Sequence, residues 1–273
     1  MLSKEYYRTY VQILKDELVP AMGCTEPIAI AYAGAVARKT LGALPERVEV
    51  AVSRNIIKNV KSVVVPHTGG LRGIEAAAAA GIVAGDAAKE LEVISHVEQE
   101  DIEAMGTFLK EVPCSVCEAS SDLIFDIQIT LYHGEDRASV RITDFHTNLV
   151  HVSRNGEILL AKEITGKEES ALADKSTLTI EKIFAFAKEV DLADVREVLE
   201  RQVRYNMAIA EEGLCGNYGA NIGKVLLATY GDQDVKVRAK AMAAAGSDAR
   251  MNGCELPGVI NSGSGNQGIT ASV

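Results

Sequence analysis

The sequence has no tryptophan, and only 5% of its 273 residues are aromatic. Proteins that bind single-stranded nucleic acid stack the bases on aromatic side chains, so a binding surface of that kind is not expected here. The chain also lacks an excess of positive charge, because 28 Lys and Arg stand against 38 Asp and Glu, for a formal net charge of −10. Nucleic-acid-binding domains carry basic patches, so we exclude that class of function.

Long hydrophobic runs are also absent. No stretch approaches the roughly 20 apolar residues of a membrane-spanning helix, and the N-terminus MLSKEYYRTY has no signal-peptide apolar core. We therefore expect no membrane association and a cytoplasmic location. With 47% hydrophobic residues, the chain is long enough to bury a substantial core in one large domain or two ordinary ones.

Cysteines are few, odd in number and widely spread: Cys24, Cys114, Cys117, Cys215 and Cys254. In a reducing compartment this distribution indicates free thiols, metal ligands or redox chemistry rather than a disulfide framework. Cys114 and Cys117 form a CxxC, which fits half a metal site, a redox pair or an incidental spacing. No second CxxC or His pair completes a zinc set, so the residues alone predict no metal site.

Hydrophobic spacing predicts helices at both ends of the chain. Residues 2–18 have apolar side chains at helical intervals, and a second helix is expected from about Pro27 to about Arg38. Residues 47–66 indicate a strand and a short connector, and residues 71–91 indicate an alanine-rich helix. Helical sequence returns between about 177 and 250.

The middle of the chain changes to a period of two. Between 122 and 160, alternating residues and a turn signal at Asn155-Gly156 predict a three- or four-stranded antiparallel meander. The polar stretch 161–177 is expected to connect it to the later helices. The predicted fold is therefore α+β, with a mainly helical catalytic part (1–45 and 165–273) and a β-containing insert with the Ala-rich helix (46–164).

Cys24 is the leading candidate for chemistry, because it lies in the sequence Gly23-Cys24-Thr25-Glu26-Pro27 just ahead of a predicted helix. The positive end of a helix dipole stabilises a thiolate, so we expect a lowered pKa for Cys24. A small packed cysteine is the alternative, and Glu26 is either a substrate ligand or a cap of its own helix.

Two further segments have the composition of anion-binding loops. The turn Pro66-His67-Thr68-Gly69-Gly70 joins a valine-rich strand to a helix, where backbone amides often meet an anion. The glycine- and serine-rich segment 261–268 suits the wrapping of backbone N–H groups around a carboxylate, with a flexible linker as the alternative. From these two segments and Glu26 we predict the substrate-binding residues Glu26, His67, Thr68, Gly69, Ser262, Ser264, Asn266 and Gln267. Other histidines, His146 among them, are expected on or beside surface elements.

Three separated motifs, in order along the whole chain, carry a family resemblance. They are GCTEPIAIA at 23–31, NVKSVVVPHTGGLRGIEAAAAAGIVAGD at 59–86 and SDARMNGCELPGVINSGSGNQGIT at 247–270. The chain resembles the L-cysteine desulfidase branch of the L-serine dehydratase alpha family. That resemblance implies a lyase that eliminates the β-substituent of a small amino acid with a [4Fe-4S] cluster and without pyridoxal phosphate. It also implies that Cys24 is the proton acceptor.

The resemblance further implies pyruvate and ammonia as products, with hydrogen sulfide from L-cysteine or water from L-serine. L-cysteine is the preferred substrate because the motifs are nearer the desulfidase branch. The family's cluster ligands are three cysteines beyond the SGSGNQG motif, and this chain reaches Val273 before that region. We therefore expect an N-terminal portion of a longer protein, without cluster ligands and inactive alone.

Two other functions stay open at this point. One is a non-enzymatic protein that binds a small carboxylate or amino acid, in which Cys24 is only packed. The other is a thiol redox enzyme built on Cys114 and Cys117. The expected partner is a small amino acid, and the sequence does not decide between a monomer and a homodimer.

Overall fold

The computed structural model describes residues 3–164 and 173–273. It contains helices and a mixed sheet, which confirms the predicted α+β fold. The helices are α1 (Lys4–Glu17), α2 (Thr25–Leu41), α3 (Arg54–Val60), α4 (Gly73–Ala84), α5 (Gln99–Glu111), α6 (Ile180–Glu189), α7 (Leu192–Cys215), α8 (Ile222–Tyr230), α9 (Val235–Met251) and α10 (Gly265–Ser272). The strands are β1 (Pro20–Met22), β2 (Arg47–Val52), β3 (Cys114–Glu118), β4 (Asp126–His133), β5 (Asp136–Thr143), β6 (Leu149–Arg154), β7 (Glu157–Ala161) and β8 (Pro257–Val259).

Packing divides the chain into two compact units. The first unit comprises Met1–Ala21, Glu169–Ala249 and Leu256–Val273, and the second comprises Met22–Glu168 and Arg250–Glu255. The predicted domain boundary between residues 45 and 46 stays a prediction. Packing places α2 in the same unit as the strands β2 to β7. The part of the predicted connector at 165–172 lies outside the described residues.

The second unit is built on a six-stranded sheet in the order β3-β2-β4-β5-β6-β7. Strands β4 to β7 form the antiparallel meander predicted from the period of two. β2 pairs antiparallel with β4 and parallel with β3. Alternate residues of the central strands, such as Val50 and Ile129, are fully buried, because one face of the sheet forms the core.

Helices α2 and α4 pack against each other within this unit, and α2 also contacts β4 and β5. α2 is apolar on nearly all sides, which is the pattern of a helix enclosed by other elements. Small residues allow a close approach between α2 and α4, since a Cβ at Gly81 would lie 1.8 Å from the carbonyl oxygen of Ala31.

The first unit is helical apart from a two-stranded sheet of β1 and β8. Its core includes Tyr10 of α1 and Phe186 of α6, whose rings meet edge to face at 5.5 Å. The fully buried Asn206 of α7 fixes β8, because its amide accepts from the N–H of Val259 and donates to the C=O of the same residue. None of the helices within the described residues is both long and apolar enough to cross a membrane.

Two local predictions were wrong. Residues 54–60, expected as strand or connector, form the short helix α3. The single Ala-rich helix expected over 71–91 ends at Ala84, and a separate 3₁₀ helix, Ala87–Glu92, follows it.

Candidate active site

Cys24 lies immediately before α2, as the sequence predicted, and only 4% of the residue is exposed. The preceding Gly23 has a φ of 53°, and a Cβ there would lie 2.4 Å from Cγ of Pro66. Only glycine combines this left-handed conformation with so close a contact. Gly23 therefore brings the start of α2 directly against the Pro66 turn.

The Cys24 thiol is hydrogen-bonded to the carboxylate of Glu26. The Sγ atom donates to Oε2 at 2.8 Å, and the Thr25 hydroxyl lies 3.5 Å from the same oxygen. The other carboxylate oxygen, Oε1, accepts from Nδ2 of Asn59 on α3 at 3.3 Å. Glu26 therefore binds the thiol and is itself held by a second element.

The predicted lowering of the Cys24 pKa is wrong. Burial, followed by the negative charge of Glu26, raises the pKa of Cys24 to about 12, although the charge of Arg250 acts in the opposite direction. The helix dipole is worth only about 0.3–1 kcal/mol in most settings, whereas removal of a thiolate from water costs more. The proton of the pair therefore stays on sulfur.

Glu26 is the ionised member of the pair. Burial alone would raise its pKa, but the hydrogen bonds from Cys24 and from its own backbone N–H outweigh burial. The charge of His146 and the amide of Asn59 act in the same direction, so the pKa of Glu26 is lowered. A half-buried carboxylate beside a protonated thiol is the result.

His146 and Arg250 complete the cluster, and the sequence reasoning did not select either as functional. His146 lies in the loop between β5 and β6, half-buried, with its ring 4.8 Å from that of Phe125. Burial lowers the pKa of His146, and the charge of Glu26 partly offsets this effect. No sequence pattern around His146 indicates a functional residue. Its place in the cluster becomes visible only in the folded structure.

Arg250 stands in the last turn of α9 and is 6% exposed. Burial lowers the pKa of its guanidinium, while Cys24 and Glu26 favour its charged form. An arginine remains protonated under all ordinary conditions, so the cluster contains one fixed cation and one carboxylate. Cys24, Glu26, Asn59, His146 and Arg250 all belong to the second unit.

The predicted turn at His67 lies in the same unit. His67 has a φ of 55°, its Nδ1 is 3.8 Å from Oε1 of Glu255, and its buried Nε2 has no hydrogen-bond partner among the described residues. Thr68 is 1% exposed and donates to the carbonyl of Val65 at 2.7 Å, so its hydroxyl holds the turn together. Gly69 also has a positive φ, of 68°.

The predicted glycine-rich loop belongs to the first unit. Ser264 is the N-cap of α10, and its Oγ accepts from the N–H of Gln267 at 3.3 Å. Ser262 donates to Oδ1 of Asn261 at 3.0 Å, and Asn266 and Gln267 are exposed on the first turn of α10. Half of the expected loop is therefore the beginning of a helix.

Cys114 and Cys117 both lie on β3, three positions apart. Side chains alternate along a strand, so the two thiols point to opposite faces, with their Cα atoms about 10 Å apart. A disulfide requires a Cα separation of about 4.4–6.8 Å. This geometry does not allow the redox pair that the CxxC spacing suggested.

The described residues do not fit an iron–sulfur cluster. Such a cluster is held by several cysteine thiolates, but no three His, Cys, Asp or Glu side chains within residues 3–164 and 173–273 are grouped to hold a metal. None of the five cysteines forms a disulfide.

Comparison with known families identifies the chain. The model described as serine dehydratase alpha chain matches residues 88–273. The chain belongs to this family. Among curated family relatives, it is 58% identical over 268 residues to a UPF0597 protein of Desulfitobacterium hafniense, covering 98% of this chain and 62% of that protein.

Other relatives give the same picture. The chain is 50% identical over 267 residues to a UPF0597 protein of Lachnoclostridium phytofermentans, covering 98% of this chain and 64% of that protein. It is 43% identical over 269 residues to a UPF0597 protein of Fusobacterium nucleatum, covering 96% of this chain and 63% of that protein. The chain thus spans less than two thirds of the length of these curated relatives. No solved structure matches it.

Proposed function

We propose that the protein takes part in α,β-elimination from a small amino acid, with Cys24 as the group that removes the α-proton. The observation that supports this proposal is the buried Cys24–Glu26 hydrogen bond beside Arg250, in a chain of the serine dehydratase alpha chain family. A thiol, a carboxylate and a fixed cation in one buried cluster are the components of proton transfer on a charged substrate.

The charges of the cluster complement a zwitterionic amino acid. Arg250 carries the positive charge that an α-carboxylate needs, and Glu26 carries the negative charge that an α-ammonium needs. The charges of both residues act on the thiol of Cys24. An amino acid that binds to both charges is therefore proposed to bring its Cα to this thiol.

Two further segments are proposed as substrate contacts. Nε2 of His67, which has no hydrogen-bond partner among residues 3–164 and 173–273, offers a buried polar atom in the same unit as Cys24. The backbone at Thr68 and Gly69 adds a turn typical of anion sites. Ser262, Ser264, Asn266 and Gln267 remain candidates for the substrate carboxylate on the strength of their chemistry, since α10 begins at this point.

The overall reaction balances without an oxidant. L-Cysteine loses its α-proton and its thiol as hydrogen sulfide to give 2-aminoacrylate, whose imine tautomer adds water to give pyruvate and ammonia. L-Serine loses water at the same step and regains it on hydrolysis. We propose L-cysteine as the preferred substrate from the motifs of residues 23–31 and 59–86. No step is assigned to a cluster, because the described residues do not fit one.

The test uses the full-length protein, prepared without oxygen. Cys24→Ser should reduce pyruvate formation from L-cysteine and L-serine by about 10²-fold or more, which is the usual contribution of a positioned base. Cys117→Ser, at an exposed cysteine on β3, is the matched control and should leave turnover unchanged.

Each alternative function predicts a different result. If Cys24→Ser retains substantial turnover, Cys24 is not the base. If Cys117→Ser is the inactive variant, the protein is a thiol enzyme of another kind. Tight binding of L-amino acids by the wild-type protein with no turnover identifies a binding protein instead of a lyase.

A further inference from the structure

The Cys24–Glu26 pair presents a problem for a base. A base needs a free lone pair, yet the Sγ proton of Cys24 is directed at Oε2 of Glu26 at 2.8 Å. The pKa of about 12 for Cys24 agrees with this geometry. The protein as described therefore holds Cys24 in the form that cannot accept a proton.

Burial is the largest influence that keeps Cys24 protonated, and Glu26 adds to it in two ways. Its negative charge disfavours a second negative charge on the sulfur, and its carboxylate accepts the hydrogen bond that only a protonated thiol can donate. Both effects depend on an ionised carboxylate whose Oε2 atom is hydrogen-bonded to the thiol. Asn59 donates to the other oxygen but brings no charge, so it does not cancel them.

We propose that the α-ammonium group of the substrate replaces the Cys24 thiol on Glu26, and that this replacement releases Cys24 to act as the base. The inference rests on the proposed function and specifies the substrate class: a primary α-ammonium is required for activation of the enzyme as well as for binding. A substrate without the amino group leaves the thiol in its protonated form.

The charges and protons balance. The ammonium group donates to Glu26 and neutralises it, and the Sγ–H proton leaves to solvent as the thiolate forms. The groups that act on Cys24 are Glu26 and Arg250, and His146 acts on both of these in turn. With Glu26 paired to the ammonium group and Arg250 to the carboxylate of the substrate, the negative charge that opposed the thiolate is neutralised.

The first experiment removes the carboxylate charge. The chain is labelled at Cβ of cysteine with ¹³C, the Cys24 signal is assigned by its loss in Cys24→Ser, and its chemical shift is followed against pH. Glu26→Gln keeps the shape of the side chain but removes its negative charge. It should therefore lower the pKa of Cys24 by roughly 1–3 units. Glu157→Gln, an exposed position on β7, is the control and should leave the Cys24 titration unchanged.

The second experiment uses two matched ligands with the wild-type chain. L-Alanine carries an ammonium and a carboxylate but no leaving group, and propionate is the same acid without the amino group. L-Alanine should shift the Cys24 signal towards the thiolate and release protons, measured by calorimetry in two buffers of different ionisation enthalpy. Propionate should do neither, and Cys24→Ser should abolish the proton release by L-alanine.

The outcomes separate this inference from the proposed function. An unchanged Cys24 titration in Glu26→Gln, or L-alanine that binds without altering the thiol, overturns the activation by ammonium while the lyase assignment stands. Equal effects of propionate and L-alanine assign activation to the carboxylate and also overturn it. If Cys24→Ser retains turnover in the full-length protein, the proposed role of Cys24 itself is wrong.

Discussion

At the scale of the residue, Cys24 illustrates a competition between two opposite influences on one thiol. Its place before α2 favours the thiolate, but its burial and the neighbouring Glu26 favour the thiol. A helix dipole contributes about 0.3–1 kcal/mol, which would lower the pKa of the thiol by less than one unit. The effect of desolvation on the Cys24 pKa is larger. A cysteine at a helix N-terminus is therefore activated only if it is also exposed or paired with a cation.

This competition predicts a loss of stability at alkaline pH that depends on Cys24. The unfolded thiol ionises near 9.0 and the folded one near 12, so the contribution is complete below the first value and is lost as pH rises towards the second. Between about pH 8 and pH 10.5, wild type should lose roughly 2 kcal/mol more unfolding free energy than Cys24→Ser. Urea unfolding at the two pH values measures the difference.

A graded comparison is available at Cys114. Burial raises its pKa to about 11, a smaller change than at Cys24. Cys114→Ser should therefore recover less alkaline stability than Cys24→Ser. Equal pH dependence in wild type and Cys24→Ser would show that the thiol does not keep its proton in the folded state.

The sequence indicated only the local half of this site. Cys24 and Glu26 are two positions apart in one motif, and the distinctive run of residue types around them marked both. Asn59, His146 and Arg250 come from α3, a sheet loop and the end of α9. Asn59 and Arg250 lie within two of the motifs of the family resemblance, but the chemistry of those motifs did not single them out, and His146 lies outside all three. Such residues become visible only when the fold brings them together.

At the scale of the element, the contact between α2 and α4 explains the many alanines and glycines in both helices. Gly81 is buried against Ala31, and Gly34 approaches the backbone of Ala78, so the two backbones approach more closely than larger side chains would allow. The close contact holds α2 against its neighbour, and α2 begins directly after Cys24.

Gly81→Ala should therefore be strongly destabilising. The added methyl carbon would lie 1.8 Å from the carbonyl oxygen of Ala31, and because that atom belongs to the backbone the helices must move apart. We expect a loss of about 3 kcal/mol or more in unfolding free energy, measured by urea denaturation.

Gly106→Ala is the matched control, because Gly106 is also inside a helix, α5, and a Cβ there would meet nothing within 4 Å. Replacement of a helical glycine by alanine should stabilise the protein by about 0.4–1 kcal/mol. A similar effect of both substitutions would show that helix propensity, not the α2–α4 contact, governs Gly81.

The elements that the sequence predicted well have a clear period. Strands β4 to β6 alternate more and less buried residues, and Asn155-Gly156 marks the turn before β7, so the meander was evident. β3 was not predicted, because its residues Cys114–Glu118 are half-buried or exposed and show no apolar alternation. α3 was mistaken for strand because Ile56, Ile57 and Val60 are β-branched, and tertiary packing overrides that preference.

At the scale of the whole molecule, the candidate site is assembled from distant parts of the chain. Cys24 and Arg250 are near opposite ends of the sequence, yet both belong to the second unit, which takes in residues 250–255 separately from 22–168. The return of these six residues supplies the cation of the cluster. The site therefore depends on residues from both segments of the second unit, and not on the GCTEP motif alone.

A double-mutant cycle between Glu26 and Arg250 tests this dependence. Arg250→Met leaves the carboxylate of Glu26 half-buried without its cation, and we expect a cost of about 3–5 kcal/mol in unfolding free energy. In the Glu26→Gln background the same substitution should cost about 1–3 kcal/mol less, since no charge is left without its partner. Arg250→Met combined with the exposed Glu157→Gln should be additive within about 0.5 kcal/mol. Additivity of the first pair would mean that Arg250 does not stabilise the second unit through the charge of Glu26, and the charge complementarity proposed for the substrate would then have no basis in the protein itself.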